Sequence, residues 1–197
     1  MNRYHQHHED GVTEENSDFV KRQDKVRILP QKKQQRITFS NFLNFFPPVE
    51  LPFTITSDTQ RLISLENDPL SAEWLFNFVL GKDEVIDEFT EFMPCFALPD
   101  NQDYFAIIYW QAGIEGTTFY LITYSKTGVM IDKKKVAGTK YNSDGLLQMV
   151  CTISEDLMIS CVEGKLDAQG HAQPVEETKT HHHSYLQLSS EGEIVII

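Results

Sequence analysis

Histidine is the residue type best suited to chemistry in this chain, because its seven copies fall into two groups. One group lies near the N-terminus, and the other lies between residues 171 and 183. On a β-strand, His181 and His183 would project from the same face, about 6.5–7 Å apart along the backbone. Two imidazoles in that arrangement can bind zinc or iron, with His171, Asp167 or Glu163 as a third ligand. One possible function is therefore that of a metal-binding protein or a metal-dependent enzyme.

The residues that follow place these imidazoles on the solvent side of the strand. Leu186 and Leu188 have the opposite parity from His181 and His183, so the leucines would face the core and the histidines would not. A histidine run on an exposed strand face does not require a metal. We therefore expect no cofactor, and zinc or iron remains the alternative.

The three cysteines predict buried thiols without a catalytic role. Cys151 and Cys161 flank a tight turn at residues 155–156, so they are expected to face each other across a hairpin. Their neighbours are apolar and include no histidine, as is also the case for Cys95, and such surroundings are typical of unreactive core thiols. A sparse and odd cysteine set is unlike the disulfide framework of a secreted protein, which favours a cytoplasmic location.

The sequence also lacks the usual signatures of membrane proteins and common enzymes. No apolar run approaches the roughly 20 residues of a membrane-spanning helix, and the first ten residues lack the apolar core of a secretory signal. Glycine-rich phosphate-binding motifs and hydrolase or metalloprotease motifs are also missing. These observations count against a nucleotide-dependent or hydrolytic mechanism, and a non-enzymatic role is favoured.

The net charge of −12 is distributed unevenly along the chain. Residues 1–36 carry 8 Lys and Arg against 6 Asp and Glu, whereas the other 161 residues carry 9 against 23. An acidic body repels nucleic acid and anionic lipid, and it attracts a basic partner. The densest acidic stretch supplies the candidate partner-binding residues Asp83, Glu84, Asp87, Glu88 and Glu91.

This charge distribution favours a binding module that recognises a basic protein partner through an acidic surface. Immunity proteins, which are small and acidic and guard against basic nuclease toxins, are comparable in charge and size, although no motif is shared. A further alternative is a carrier that holds a small apolar molecule inside a closed barrel. Its cavity would be lined by Phe105, Ile107, Phe119 and Leu121.

A faint internal repeat predicts the elements that position these residues. Residues 121–131 and 185–196 each contain an apolar run, a Ser-x-x-Gly turn and a second apolar run, which is typical of a β-hairpin. The pattern predicts an α+β fold in which an antiparallel meander of about seven strands forms an open sheet or a small barrel. The predicted strands lie at about 104–110, 117–125, 128–136, 147–154, 157–163, 182–189 and 193–197.

Two features indicate where strands lie within this sheet. The strand from Tyr104 to Trp110 is apolar on both faces, so we expect it to be central with a helix on one side. The run Lys133–Lys135 is typical of an exposed edge strand.

Helices are predicted before residue 100. A short helix is expected between residues 37 and 51, where Pro47 and Pro48 end it. A longer helix is expected between Asp68 and Gly81, with Trp74 in the apolar stripe that covers the sheet.

The domain organisation follows from composition. Residues 1–36 are polar and basic, and they predict a disordered arm because they can bury little apolar surface. Residues 37–197 are long enough for a single domain. Within it, a helical or irregular layer (37–100) is expected to pack on the meander (101–197).

Overall fold

The computed structural model describes residues 36–81, 86–142, 145–166 and 182–197. Within these ranges the chain forms nine strands and three short helices. The helices are α1 (Phe39–Leu43), α2 (Ser57–Glu66) and α3 (Ala72–Trp74), and α3 continues as a π-helical segment, Leu75–Val79. The strands are β1 (Phe53–Ile55), β2 (Glu91–Ala97), β3 (Tyr104–Gly113), β4 (Gly116–Ser125), β5 (Met130–Asn142), β6 (Gly145–Ile153), β7 (Met158–Leu166), β8 (His182–Leu188) and β9 (Ile194–Ile196).

Eight of the strands form one open antiparallel sheet in sequence order, from β2 to β9, and β1 pairs with β6. The predicted α+β fold with an antiparallel meander is confirmed, and all seven predicted strands occur in the predicted order. The open sheet nevertheless curls, and this brings β9 close to β4 and β5. Thr123 Oγ1 donates to the Gly192 carbonyl at 2.6 Å, and the Ile194 amide donates to Asp132 Oδ2 at 3.0 Å.

The two halves of the internal repeat form the same turn. The amides of Ser125 and Ser189 donate to the carbonyl four positions later, at 2.8 and 2.9 Å. Gly128 and Gly192 close these turns with φ values of +84° and +86°, which glycine adopts without steric cost. The Ser-x-x-Gly pattern thus predicted both hairpins through the backbone conformation that the turn requires.

A helical layer covers one face of β3 and β4, as the sequence predicted. Tyr124 ties this layer to the sheet, because its hydroxyl donates to the Phe78 carbonyl at 2.6 Å, and burial raises the pKa of this phenol. The cluster on this face consists of buried residues from α1, the α3 region and the sheet, including Phe42, Phe46, Leu70, Trp74, Leu75, Val79, Phe92, Ile107, Tyr109, Ile122 and Tyr124.

The opposite face of the sheet holds a second and larger apolar cluster. Its members come from β2 at one end of the sheet and from β9 at the other, so the sheet has to curl around them. Strand β3 contributes to both clusters, so it is buried on both faces, and it lies inside the sheet between β2 and β4, next to the edge strand β2. Representative residues of the second cluster are Ile55, Ile108, Trp110, Phe119, Leu121, Cys151, Ile153, Ile159, Cys161, Leu186 and Ile194.

Three elements were not predicted: β1, α2 and β2. Strand β2 contains Pro94, which fits the edge of a sheet because proline cannot donate to a neighbouring strand. The chain before the α3 region covers that edge: the Leu70 amide donates to the Phe92 carbonyl at 2.8 Å, and Asn67 Nδ2 donates to the Pro94 carbonyl at 2.6 Å. The helix predicted from Asp68 begins only at Ala72, after the segment that pairs with β2.

The prediction of edge character at Lys133–Lys135 is confirmed only locally. Strand β5 lies between β4 and β6, but β6 pairs with it only from Gly138 onward, so the lysine run pairs with β4 on one side and with no β6 residue on the other. Lys133 is half-buried, and its ammonium lies 5.0 Å from the Tyr120 ring and 5.6 Å from the Tyr109 ring. The two tyrosine rings stack with their centroids 5.3 Å apart. A lysine stem can thus cover apolar surface while its charge rests on aromatic faces.

Candidate functional site

The described part of the acidic stretch, residues 86–90, forms a loop that leads into β2. Asp87, Glu88 and Glu91 are exposed, whereas Asp83 and Glu84 lie outside the described residues. Asp87 Oδ1 organises the loop, since it accepts the Phe89 amide at 2.9 Å and the Thr90 hydroxyl at 2.7 Å. We call Asp87, Glu88 and Glu91 the acidic rim.

Phe89 lies inside the acidic rim with 63% of its surface exposed. Phe89 was not among the predicted partner-binding residues, although an aromatic residue placed among acidic residues is a usable signal. An exposed aromatic ring is a common anchor in protein interfaces because its burial removes a large apolar area from water.

Other exposed apolar side chains lie at the same end of the sheet. Glu91 pairs with Ala112, one residue before the β3–β4 turn. That turn carries Ile114, which is 78% exposed, and Tyr141 next to it is 64% exposed. The Tyr141 amide donates to the Glu115 carbonyl at 2.9 Å. The acidic rim is thus part of a surface that combines carboxylates with apolar side chains.

A polar cleft of about 450 Å³ opens between the rim loop and the sheet. Its charged lining residues are Asp87, Glu115, Lys135 and Lys140, and Lys140 pairs with Glu115 at 3.2 Å. Two carboxylates balance two ammonium groups, so the cleft itself favours neither sign of ligand charge. The excess of negative charge therefore lies on the rim and not in the cleft.

The uncharged polar groups of the polar cleft come from two residue types. They are threonines and Gln111, and among the described lining residues there is no histidine, cysteine or serine. The buried Gln111 Oε1 has no hydrogen-bond partner within the described residues. One hydroxyl lies beside a carboxylate, because Thr90 Oγ1 donates to Asp87 Oδ1, and this bond also shapes the rim loop.

The predicted metal ligands are only partly within the described residues. His183 is exposed on β8 together with Tyr185, whereas Leu186 and Leu188 are buried, so the predicted parity of the strand is confirmed. His171 and His181 lie outside the described residues, as does Asp167. Within the described ranges no group of three metal-ligating side chains occurs, and the zinc or iron site stays a prediction.

We expect purified untagged protein to carry far less than about one equivalent of zinc or iron, because an exposed strand face leaves imidazoles hydrated without a metal. Chelator should leave the melting temperature unchanged, as measured by calorimetry with metal analysis of the same sample. His182→Ala is the matched control, since that side chain has the opposite parity. Stoichiometric metal that survives dialysis, disappears in His181→Ala/His183→Ala and persists in His182→Ala would contradict this expectation.

The cysteines are placed as the sequence predicted. Cys151 and Cys161 are direct partners in the β6–β7 register, and both are buried. The hydrogen bond to Cys161, together with burial, raises the pKa of the Cys151 thiol, and burial raises the pKa of Cys95. A raised pKa keeps Cys95 and Cys151 as thiols near neutral pH, and thiols are poor nucleophiles, whereas the hydrogen bond to Cys151 lowers the pKa of Cys161.

The single cavity predicted for an apolar ligand does not form. Ile107 pairs with Ile122, so Phe105 and Ile107 lie on the helix-covered face, while Phe119 and Leu121 belong to the cluster on the opposite face. One residue of register decides which face a side chain occupies. Phe105 and Ile107 line a different, surface-open cleft of about 230 Å³.

We compared the chain with protein-family models, curated proteins and solved structures, and none matches. The longest described helix, α2, has 10 residues, and none of the described helices has the length and apolar character needed to cross a membrane. The acidic rim and the two clefts are accordingly the features from which we infer a function.

Proposed function

We propose that this protein is a non-enzymatic binding module that recognises a basic protein partner through the acidic rim. The observation that carries the proposal is the exposure of Phe89 between the carboxylates of the rim. Burying a phenylalanine side chain in an interface contributes about 1.5–3 kcal/mol, and the surrounding acids select the partner's charge. We place the module in the cytoplasm, a setting that suits its three buried free thiols.

Charge at the rim supports a basic partner. Within the described residues, Glu88 and Glu91 make no ion pair, and the bonds of Asp87 are to the loop itself. The carboxylates of Glu88 and Glu91 repel their acidic neighbours without an ion pair to offset the repulsion, which supports a role for them in binding. We include Asp83 and Glu84 in the surface because they continue the same acidic stretch.

The rim can be tested with a five-residue variant in which Asp83, Asp87, Glu84, Glu88 and Glu91 become Asn or Gln. The Asn at position 87 keeps an oxygen that can accept the loop hydrogen bonds, so we expect stability equal to that of the native chain or slightly higher. The test needs a basic partner that is captured by the native chain and identified by mass spectrometry. At low salt, its association rate with the variant should be at least about tenfold lower than with the native chain. Stopped-flow or surface-plasmon measurements would give this rate.

Salt and control variants complete the test. Charge steering fades over a Debye length of about 8 Å at physiological salt, so the native on-rate should fall with salt and that of the variant should hardly change. Neutralising the exposed acids Glu155, Asp156 and Glu191, at the opposite end of the sheet, is the matched control and should leave the on-rate near the native value. Phe89→Ala should mainly raise the off-rate. Equal on-rates for the native and rim-neutralised chains at low salt would refute the proposal.

A further inference from the structure

The 230 Å³ cleft lies at the end of β3 opposite to the polar cleft and is almost entirely apolar. Its floor is formed by the buried residues Phe46, Leu98, Ala106 and Ile107. Leu43 and Phe105 form part of its walls. We call it the apolar cleft. The polar and apolar clefts share none of their lining residues, so each can be altered without touching the other.

Backbone hydrogen bonds hold the apolar cleft open. The Ala97 amide donates to the Pro47 carbonyl at 2.8 Å, the Val49 amide to the Ala97 carbonyl at 3.0 Å, and the Leu98 amide to the Ala106 carbonyl at 2.9 Å. The small side chain of Ala97 leaves space that a larger side chain would fill. A site whose backbone is fixed in this way cannot collapse on itself, so its apolar surface stays available for a ligand.

One charged pair lies at the mouth of the cleft. Lys126 Nζ donates to Asp100 Oδ1 at 2.8 Å, and the same ammonium lies 3.7 Å from the centre of the Phe105 ring. This hydrogen bond lowers the pKa of Asp100, which therefore stays ionised. The lysine balances the carboxylate charge, and a carboxylate with about four acceptor positions can still accept a further hydrogen bond.

We propose that the apolar cleft binds a small uncharged ring compound with a single hydrogen-bond donor, of the size of phenol or indole. The ring would rest on the floor at Ile107 and Ala106, and its donor would point to Asp100. The volume supports this size, because an apolar cavity of about 150 Å³ suffices for benzene. A charged group would be disfavoured on the floor of the cleft, because Phe46, Leu98, Ala106 and Ile107 offer no polar side chain to compensate its desolvation.

The probe for this proposal is indole, titrated into the full chain and followed by amide chemical shifts. We expect saturable binding with shifts centred on Ala97, Ala106 and Ile107. Toluene, which lacks the donor, should bind more weakly than indole, and benzoate should not bind. The rim-neutralised chain should bind indole like the native chain, which separates this site from the proposed partner surface. The absence of saturable indole binding with a Kd below about 1 mM would overturn the proposal.

Two variants fill the cleft from different elements. Ala97→Leu fills it from β2 and Leu43→Trp from α1, and each should weaken indole at least about tenfold, a difference of about 1.4 kcal/mol. If one of them fails to fold, as judged by its melting curve, the other decides. Ala72→Leu introduces the same side chain at an exposed helix position and should bind indole like the native chain. Native-like binding in a folded, filled variant would refute the site.

The role of Asp100 is tested by comparing the affinities of indole and toluene. Asp100→Ala removes the acceptor and should weaken indole roughly threefold to tenfold, which is the worth of one neutral hydrogen bond. Toluene makes no such bond, so its affinity should be unchanged in the same variant. An equal loss for both ligands would show that Asp100 shapes the mouth and does not accept a hydrogen bond, which would overturn the requirement for a donor.

Discussion

Replacing Trp74 with alanine is expected to lower the free energy of unfolding by about 3–5 kcal/mol, the usual cost of removing a large core aromatic. Trp74 is only 7% exposed, and its ring lies 5.2 Å from the Phe45 ring and 6.1 Å from the Phe78 ring. A cavity at this position would loosen the helical layer from β3 and β4. Urea denaturation followed by circular dichroism measures the difference.

Phe76 provides the matched control for Trp74. It lies in the adjoining π-helical segment but is 67% exposed, so Phe76→Ala should change stability by no more than about 0.5 kcal/mol. A near-neutral Trp74→Ala would mean that the apolar stripe contributes little to holding the helical layer on the sheet. Equal losses for the two variants would contradict burial as the cause, and helix propensity could not explain them because alanine raises it at both positions.

Gly138→Ala is expected to destabilise the protein by about 2–5 kcal/mol. Gly138 has a φ of +144°, which a residue with a Cβ atom rarely adopts. An added Cβ would lie 2.2 Å from the Thr117 carbonyl oxygen, which belongs to the backbone of the neighbouring strand β4. The strands would have to separate where β5 begins to pair with β6, which the register places at Gly138 and Met149.

Gly113→Ala is the control for this second prediction. Its backbone has no left-handed φ, and the nearest atom to an added Cβ is the Thr90 hydroxyl oxygen at 3.7 Å, an ordinary contact. This variant should be neutral or stabilising by up to about 1 kcal/mol, because alanine restricts the unfolded chain. Calorimetric melting of both variants tests the pair, and a Gly138→Ala variant as stable as Gly113→Ala would contradict the predicted clash.

Local signals account for the parts of the fold that could be predicted. The Ser-x-x-Gly turns at Ser125 and Ser189 were recognisable because glycine marks a backbone with positive φ. A third turn, from Ser154 to Met158, has the same type of hydrogen bond at 2.9 Å, but Leu157 occupies the positive φ, at +63°. Leucine in a sequence does not indicate a positive φ. Only the structure showed that this turn has the same conformation as the other two.

The missed elements lacked such local signals. Helix α2 has Ile63 buried while Leu62 and Leu65 are exposed, so its apolar residues do not form the stripe that indicates a helix. Its capping box, with Thr56 and Thr59, became recognisable only when the side chains were placed. Strand β2 was obscured by Pro94, which argues against a strand unless it lies at an edge.

The candidate site also has features that could be predicted from the sequence and features that could not. The exposure of Asp87, Glu88 and Glu91 could be predicted because several carboxylates without cations cannot be buried. The proximity of the rim to Ile114 and Tyr141 could not, because these residues are far apart in sequence and meet only through strand pairing. The apolar cleft likewise combines residues from α1, β2 and β3.

The sequence by itself determined the meander, its order, the burial of β3 on both faces and the acidic character of the body. These properties depend on alternation, turn residues and composition, all of which act over a few neighbouring residues. Only the tertiary structure decided that Ile107 pairs with Ile122, that β6 pairs with β5 only from Gly138 onward, and that Ala97 leaves an open cleft. Register and cavities depend on how distant segments pack, and a shift of one residue in a strand exchanges its two faces.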